Sequence, residues 1–575
     1  MDASVTYQTI QGFGASDAWN ADPVGKYWSA SAKNEIAEKL FSRTFDGNGN
    51  PLGIGLSRWR FNIGAGSSEQ GIASNIDMPE RRVECFLNQD STYNWDKQSG
   101  QQWFLNQAKT YGVEQLVGFV NSPPRFYTKS GRTNSDNTDN YGFTNLKDSY
   151  YDDFALFLAT VLKHFYDNGT HFAQISPVNE PQFAWNKGQE GCPWTNQEIT
   201  HLAEELNKAI VSKGIPTKIL LAEASSFNDL HQENGNPEKS DQIWKFFNSS
   251  SPEFIGNYSQ VLKGLSGHSY WTDIDDATIT SARENIYRES QEQGGIELYQ
   301  TEYNLLSKHY EDYLTNSIFL GKMIYADLAI AGVSIWDYWT ALERERWSQK
   351  NRFYLIRLQP NGGDYADLSA GGSISSDKNL WVLGNYSLFI RPGYKRIKTT
   401  GANNLAGLMC SAFISPDTSK IVVVYVNWGR SSVDISQFFN NIPKGKKVKS
   451  IQPFVTDINS NLKANGTISK YTSYSIRALS VITMVVDLEN ITSSSEQTSA
   501  DSDMDIYPNP SDGSFQLRTA NPNGNSNLTI MDIAGNIVYS NMINSPNYQT
   551  VDISYLPSGI YFLKDQNSVH KIIKR

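Results

Sequence analysis

Two glutamates in the sequence are placed so that a pair of carboxyl groups can act on one bond. Glu180 lies in Ile-Ser-Pro-Val-Asn-Glu-Pro over Ile175–Pro181, and Glu302 lies in Ile-Glu-Leu-Tyr-Gln-Thr-Glu-Tyr over Ile296–Tyr303. Each stretch reads as a buried strand with the acid at its carboxyl end, and the prolines around Val178–Glu180 stiffen the chain there. A proton donor and a carboxylate for the anomeric carbon are the minimum equipment of a glycosidase. The pair predicts glycoside hydrolysis, which needs neither a metal nor a cofactor.

Short apolar strands alternating with helices must position these acids. Eight strand-then-helix units occupy residues 7–389. This alternation is typical of parallel strands with crossover helices, and eight units predict a (β/α)8 TIM barrel with long loop insertions. A doubly wound open sheet is the alternative, but Gly12–Gly14 is too short for a phosphate loop and no helix follows it directly. The predicted strands are residues 7–16, Leu56–Ile63, Leu116–Asn121, the Glu180 stretch, Lys218–Ala224, Leu262–Tyr270, Ile296–Tyr303 and Val333–Trp339.

Four other acids compete for the catalytic roles. Glu297 is five residues before Glu302, so strand alternation turns it to the opposite face, and it lies near the strand's start, the wrong end of a barrel. Glu223 ends the fifth strand, and we interpret it as a supporting or substrate-contact acid. Asp337 and Glu343, near the eighth strand, are more typical of a salt bridge or a loop.

The pattern changes after the barrel, which we place at residues 11–390. Strand-like segments separated by turns predict an attached β-sandwich over residues 391–490. Residues 491–503 read as a polar, serine-rich linker, and residues 504–575 as a small all-β module. The sandwich segments are Leu408–Ile414, Lys420–Asn427, Lys447–Val455 and Ser473–Val486.

The acid-bearing motifs carry a family resemblance. Asn-Glu-Pro after the fourth strand and Thr-Glu at the end of the seventh resemble the acid/base and nucleophile of retaining clan A glycoside hydrolases, most closely family 30. The resemblance implies that Glu180 is the acid/base and Glu302 the nucleophile, across one cleft at about 5–5.5 Å. It also implies that residues 1–10 join the side domain. Three further stretches support it over residues 8–490: Gly12–Ser16 (Gly-Phe-Gly-Ala-Ser), Ser122–Pro124 and Phe389–Gly393.

Further substrate-binding residues follow from the resemblance and from strand geometry. The resemblance implies that Asn179 bonds the sugar 2-hydroxyl and that Arg60 orients the nucleophile, and a structural ion pair of Arg60 is an alternative that can hold as well. His268 and Tyr270 share one strand face, so both are predicted to line the cleft, with a core role for His268 as the alternative. Trp336 is predicted as the sugar platform at the barrel floor. Weaker platform candidates are Tyr127, Trp185 and Trp339, since aromatic residues are more often core.

Composition excludes several classes of function. The 575-residue chain has a net charge of −10, which disfavours nucleic acid as a partner because phosphate binding needs a basic face. No run approaches the ~18 apolar residues of a membrane span. Cys85, Cys192 and Cys410 show no metal-ligand spacing and cannot all pair. The chain opens Met-Asp-Ala-Ser, and we expect that a signal peptide has been removed and a start codon added.

The C-terminal module carries a second resemblance. Pro508–Pro510 (Pro-Asn-Pro), Gly559–Tyr561 (Gly-Ile-Tyr) and the basic Lys571–Arg575 are similar to the C-terminal sorting domains of type IX secretion substrates in Bacteroidetes. The alternative is a generic carbohydrate-binding sandwich. The resemblance implies type IX secretion machinery as a partner, and a secreted or cell-surface location.

The sequence as a whole predicts a secreted retaining β-glycosidase that acts on a polysaccharide or oligosaccharide. The motif Pro177–Gln182, with Trp185 close behind, looks most like the endo-β-1,6-galactanase-like branch of family 30. Xylanase, β-1,6-glucanase and glucosylceramidase activities are alternatives within that family. Two competing classes are a non-catalytic glycan-binding surface protein that kept the barrel and a structural surface-layer protein, which would not need the acid pair.

Overall fold

In the computed structural model of the chain, eight parallel strands close into a barrel. This confirms the predicted fold class. The first predicted strand divides in two, because Asp2–Thr9 pairs with an antiparallel sheet outside the barrel and only Gly12–Ser16 enters it. The barrel strands, named first to eighth in chain order, are Gly12–Ser16, Arg58–Asn62, Gln115–Phe119, Phe172–Ser176, Lys218–Ala224, Val261–His268, Glu297–Tyr303 and Ile335–Tyr338.

The structure describes residues 1–136, 143–470, 472–491, 504–519, 526–543, 549–564 and 569–575. The chain divides into two units, the first made of Met1–Ile468 and Tyr474–Glu489 and the second of Ser469–Ser473 and Asn490–Arg575. The predicted linker, residues 491–503, lies outside the described residues except for Ile491.

Helices cover the outside of the barrel. The helix Asn196–Lys213 shows why they form where they do: Thr195 and Glu198 make a reciprocal capping box at its start, and Gly214 ends it in the left-handed conformation. Among the described residues, no helix combines the length and apolar character needed to cross a membrane. The α-helices are Ala21–Tyr27, Ala30–Phe41, Ser67–Gln70, Ser99–Thr110, Tyr151–Asp167, Asn196–Lys213, Phe227–His231, Gln242–Phe247, Asp276–Glu292, Tyr313–Ala326, continued by the π-helix Asp327–Ala331, and Lys378–Ser387.

A seven-stranded antiparallel sheet packs beside the barrel. The buried apolar residues of its central strands alternate between two cores, as the period of a strand requires. Met409 and Phe413 belong to the core shared with the barrel, whereas Cys410 and Ala412 belong to a separate core on the outer face. In spatial order the strands are Asp2–Thr9, Lys395–Lys398, Leu408–Ile414, Lys420–Asn427, Ser480–Asn490, Lys446–Asp457 and Ser460–Ala464, with a two-stranded sheet of Val433–Ile435 and Tyr474–Ile476.

A three-stranded sheet that sequence reasoning missed follows the eighth barrel strand. It consists of Leu342–Arg344, Ile356–Pro360 and Gly372–Ser376. The first of these strands is only three residues long and lies in the charged run Leu-Glu-Arg-Glu-Arg, which hides any apolar alternation. The insertion matters for function because it carries Glu343 and Arg346 to the mouth of the barrel.

The barrel interior holds a buried ion pair. Arg58 on the second strand donates from Nε to Asp337 Oδ1 on the eighth strand at 3.1 Å, and both side chains are fully buried. Arg58 also donates from Nη2 to Gln174 Oε1 at 3.1 Å. Asp337 is therefore a structural partner inside the barrel, the salt-bridge role that the sequence favoured.

Replacing Arg58 by methionine is expected to lower the free energy of unfolding by about 3–5 kcal/mol, because it leaves the buried Asp337 carboxylate without its counter-charge. Urea unfolding followed by circular dichroism measures the change. The matched double variant Arg58→Met/Asp337→Leu removes both charges and should recover part of the loss. A single variant as stable as the wild type would contradict the assignment.

The second unit contains two antiparallel sheets. Met504–Tyr507, Ser514–Thr519 and Gln549–Asp552 form one, and Ile537–Ile543, Ser526–Met531, Gly559–Lys564 and Val569–Lys574 form the other. Their apolar residues make a small core that includes Phe515, Leu517, Leu528, Ile530 and Leu563.

Candidate active site

The carboxyl ends of the barrel strands open into a cavity of about 630 Å³. Both predicted glutamates reach it, Glu180 from the loop after the fourth strand and Glu302 from the seventh strand. This is the end at which barrels of this architecture hold their catalytic residues. Much of the wall is aromatic, and it is formed by Trp19, Phe183, Trp185, Tyr270, Trp339, Trp347 and Phe353.

Glu180 is held in one position at the cavity wall. Its φ of 41° is left-handed, a conformation that costs a non-glycine residue roughly 1–3 kcal/mol. The backbone NH of Glu180 donates to the carbonyl oxygen of Glu223 at 2.9 Å. The indole NH of Trp185 donates to the carbonyl oxygen of Glu180, also at 2.9 Å. These bonds stabilise the strained residue, and its side chain has little freedom because the residue is only 7% exposed.

Glu302 lies opposite Glu180, with a carboxylate oxygen of each residue within 4.8 Å of the other. Arg60 Nη1 donates to Glu302 Oε2 at 3.4 Å, and the Tyr270 hydroxyl donates to Oε1 at 3.3 Å. Arg60 is itself fixed, since Nη1 also donates to Ser16 Oγ at 2.8 Å. Side chains from the first and second strands and from the end of the sixth therefore converge on the carboxylate of the seventh.

His268 connects the acid pair to a second buried carboxylate. Its Nδ1 lies 2.9 Å from Glu180 Oε1, and its Nε2 lies 3.0 Å from Glu223 Oε2. Carboxylate oxygens accept, so both ring nitrogens donate and the ring is an imidazolium. Glu223 also accepts from the Ser176 hydroxyl at 2.7 Å and from the Thr301 hydroxyl at 2.5 Å.

The charges in this network set the protonation states. Burial opposes charge on Glu223, but Arg60 and His268 outweigh it and lower its pKa to about 2. Burial likewise opposes charge on His268, but the surrounding carboxylates, with Glu302 foremost, raise its pKa to about 10. Burial and the nearby charge of Glu180 raise the pKa of Glu302 to about 7, against the attraction of His268. Because two carboxylates this close repel each other, the pair as a whole keeps one proton until the pH rises through about 7.

Comparison with protein families decides the affiliation of this site. The model for O-glycosyl hydrolase family 30 matches residues 1–351. The chain belongs to glycoside hydrolase family 30. This confirms the resemblance predicted from the acid-bearing motifs and makes the protein a glycosidase rather than a structural or purely glycan-binding one.

A second model, for the secretion system C-terminal sorting domain, matches residues 505–575 of this family 30 protein. The prediction of a sorting domain is confirmed. The domain indicates export by type IX secretion to the cell surface or the extracellular space.

Three individual proteins that resemble this chain share a third or less of its residues. An endo-beta-1,6-galactanase from Hypocrea rufa is 24% identical over 456 residues, which cover 75% of this chain and 81% of the relative. The crystal structure of a conserved exported protein from Bacteroides fragilis is 33% identical with a TM-score of 0.78, covering 84% of this chain and 99% of that one. A family 30 subfamily 8 xylanase from Clostridium acetobutylicum is 21% identical with a TM-score of 0.58, covering 85% and 98%. The xylanase shares the fold.

Most of the site residues predicted for this family 30 protein lie together around the acid pair. Arg60, Glu223, His268 and Tyr270 contact one another or the acid pair, as described above. Asn179 is buried beside Glu180, and its side-chain oxygen has no hydrogen-bond partner among the described residues. Trp185 lines the cavity, and so does Glu343. Glu223 and His268 are fully buried beneath Glu180, and neither is among the cavity-lining residues. His268 contacts the acid pair, and the Glu223 carboxylate reaches the pair only through His268 and Arg60.

Two predicted platforms lie elsewhere. Trp336 is fully buried, and its indole NH donates to Asp327 at 2.8 Å in the surrounding helical layer. Alternation along the eighth strand explains this, because Asp337 faces the barrel interior and its neighbour Trp336 must face outward. Trp339, just past the strand end, lines the cavity instead. Tyr127 is partly buried against Tyr150, with the ring centroids 5.0 Å apart, and it is not among the cavity-lining residues.

Several residues of the site were missed by sequence reasoning. Ser16, Ser176 and Thr301 are small hydroxyl residues that bond Arg60 or Glu223, and no pattern marks them, although Ser16 ends the Gly-Phe-Gly-Ala-Ser motif. Trp19 and Arg81 belong to loops whose path to the cavity depends on the fold.

Glu180, His268 and Glu302 form the one group of three potential metal ligands among the described residues. A metal would need a ring nitrogen with a free lone pair. Both nitrogens of His268 are occupied as donors to carboxylates. The donor set therefore suits an acid pair supported by an imidazolium better than a cation.

Proposed function

We propose that this family 30 hydrolase cleaves a β-linked polysaccharide with retention of configuration, with Glu180 as acid/base and Glu302 as nucleophile. The separation of the carboxylate oxygens, within 4.8 Å, carries the proposal. Retaining glycosidases hold their carboxyl groups about 5–5.5 Å apart, whereas inverting enzymes need about 6.5–9.5 Å to fit a water molecule.

The first step forms a glycosyl ester. Glu302 attacks the anomeric carbon while Glu180 transfers its proton to the departing oxygen, and the glycosidic bond breaks. Because His268 donates to Oε1 of Glu180, the proton of Glu180 is carried by Oε2. Arg60 and Tyr270 orient Glu302 for attack. Asn179 bonds the 2-hydroxyl of the reacting sugar.

The second step hydrolyses the ester. Once Glu302 is esterified its negative charge is gone and no longer opposes charge on Glu180, so Glu180 acts in this step as a carboxylate base. Glu180 then removes a proton from water, whose oxygen attacks the anomeric carbon and releases Glu302 as a carboxylate. Two inversions leave the product in the β configuration.

The proposed substrate is a β-1,6-galactan cleaved in endo fashion. The endo-beta-1,6-galactanase relative and the Pro177–Gln182 motif with Trp185 support this choice. The test is a screen of β-linked polysaccharides, including β-1,6-galactan, β-1,6-glucan and xylan, with chromatography of the products and NMR of the anomeric configuration. Internal cleavage of β-1,6-galactan to β-configured products is the expected result. An initial α product would overturn the retaining mechanism, and cleavage of another polymer alone would overturn the substrate.

The pH profile tests the shared proton. Since the pKa of Glu302 is raised to about 7 within the pair, the pair loses its last proton as pH rises through that value, and kcat/KM on a natural glycoside should fall. A 2,4-dinitrophenyl glycoside needs no protonation of its leaving group, so its alkaline decline should be much weaker. Initial rates between pH 4 and 9 measure both profiles. Equal alkaline declines would show that the limb belongs to another group.

A further inference from the structure

A cationic side chain that forms no hydrogen bond or ion pair with any described residue lies in the wall of the catalytic cavity. Arg81 ends the short helix Pro79–Arg81, in the loop after the second barrel strand. Its guanidinium lies 4.9 Å from the centroid of the Trp19 ring, and Trp19 meets Trp339 edge to face at 5.2 Å. All three residues line the same cavity as Glu180 and Glu302.

The Arg81 guanidinium makes no hydrogen bond to any described residue, and no described carboxylate lies within 4.0 Å of it. Its Nε is buried without a hydrogen-bond partner. A guanidinium has five N–H donors in a planar fork. Arg81 lines the cavity, so an anion that enters the cavity can pair with donors of this guanidinium, and such pairing is favourable because the guanidinium has no described hydrogen-bond partner.

The residues around Arg81 do not supply the missing charge. Arg346 donates from Nη1 to Glu80 at 2.9 Å, and Arg344 also bonds Glu80. Glu343 lies 3.8 Å from Arg346 Nη2. Three guanidinium groups therefore share two carboxylates, and the cluster has one uncompensated positive charge in a protein whose net charge is −10.

The electrostatic environment of Arg81 agrees with this count. Burial lowers the pKa of its guanidinium, and Arg346 and Arg344 lower it further, against the attraction of Glu343 and Glu80. An anion that contacts Arg81 would relieve both the desolvation and the repulsion.

We propose that Arg81 and Trp19 form a subsite for an acidic sugar, which presents its carboxylate to the guanidinium of Arg81. This inference rests on the proposed function, because the acidic sugar would belong to the glycan that enters the same cavity. A carboxylate matches the planar fork of a guanidinium in bidentate fashion. The Trp19 ring packs against the guanidinium and restrains it, so less side-chain entropy is lost on binding.

The experiment compares two oligosaccharides that differ only in charge. The first is a β-1,6-galacto-oligosaccharide with a terminal glucuronic acid, and the second is the same molecule after carboxyl reduction, which replaces the carboxylate by a hydroxymethyl group. Calorimetry with the Glu302→Gln variant measures binding without turnover. We expect the acidic form to bind roughly 10- to 100-fold more tightly, and we expect the preference to shrink in high salt.

Variants locate the preference. In the Glu302→Gln background, Arg81→Gln should abolish the preference and Arg81→Lys should keep part of it. The matched control Arg288→Gln, whose guanidinium contacts Asn285 on a distant helix, should keep all of it. Thermal melting checks that each variant folds. If Arg81→Gln does not fold, the comparison of the two oligosaccharides on the Glu302→Gln protein still decides.

The outcomes separate this inference from the proposed function. Equal affinity for the two oligosaccharides, binding of neither, or a preference that survives Arg81→Gln would overturn the subsite. Turnover of the reduced form by the wild type, without any preference, would overturn the subsite and leave the proposed function intact. A preference without turnover of either form by the wild type would support the subsite and overturn the proposed function.

Discussion

Replacing Glu302 by glutamine is expected to abolish turnover of every glycoside, since an amide cannot form the glycosyl ester. The loss in kcat should be on the order of 10⁵-fold or more, as for the removal of other catalytic nucleophiles. Oligosaccharide binding should survive, because glutamine keeps the shape of the side chain. Initial rates on the polysaccharide and on an aryl glycoside, with calorimetry for binding, measure the two effects.

Glu297→Gln is the matched control. It makes the same substitution on the same strand, but Glu297 is exposed at the opposite end of the barrel, where it accepts from the Tyr299 hydroxyl at 2.8 Å. Its activity should stay near that of the wild type. Substantial activity of Glu302→Gln, or an equal loss in both variants, would remove Glu302 from the nucleophile role.

Azide distinguishes the two glutamates by stereochemistry. In Glu180→Ala, an activated β-aryl glycoside still forms the ester, and azide attacks the ester from the opposite side, so two inversions give the β-glycosyl azide. In Glu302→Ala, azide attacks the substrate directly, and one inversion gives the α-azide. NMR of the adduct from Glu180→Ala decides the matter, since an α-azide there would reverse the roles.

The barrel and the acid pair could both be predicted from the sequence, and for the same reason. Buried parallel strands read as short apolar runs, and functional side chains at their carboxyl ends must meet at one end of the barrel. That argument needs no knowledge of loop paths. It predicted that Glu180 and Glu302 would share a cleft, and strand alternation placed His268 and Tyr270 beside them, whereas the role of Arg60 rested on the family resemblance.

Other parts of the site depend on information that strand patterns lack. Side chains alternate between the two faces of a strand, and by this alternation Trp336 faces the helices. Trp339 lies past the strand end and lines the cavity, but the sequence does not mark where the strand ends. The part of the cavity wall around Arg81 is formed by loops and by the short inserted sheet. Its partners are far apart in sequence, so only the folded chain brings them together.

Replacing His268, which lies in the hydrogen-bond network beneath Glu180, is expected to lower kcat strongly. His268 is wholly buried and donates to Glu180 and to Glu223. It does not line the cavity, so we assign it as a positioning residue that fixes the plane of the Glu180 carboxyl. Replacing His268 by glutamine removes the positive charge and at least one of the two hydrogen bonds. We expect kcat on the polysaccharide to fall roughly 10²–10³-fold, within the range attributed to general acid–base catalysis.

The pH profile of His268→Gln separates an electrostatic role from a merely structural one. In the wild type the imidazolium lies 2.9 Å from Glu180 and 3.9 Å from Glu302, and its charge lowers the pKa of the pair. Removing that charge must raise this pKa, so the alkaline limb of kcat/KM should move from about pH 7 to a higher pH. The matched variant His171→Gln, at the exposed opposite end of the barrel, should leave the limb in place. A structural defect alone would reduce kcat without moving the limb, so an unshifted limb would show that the charge of His268 does not act on the acid pair.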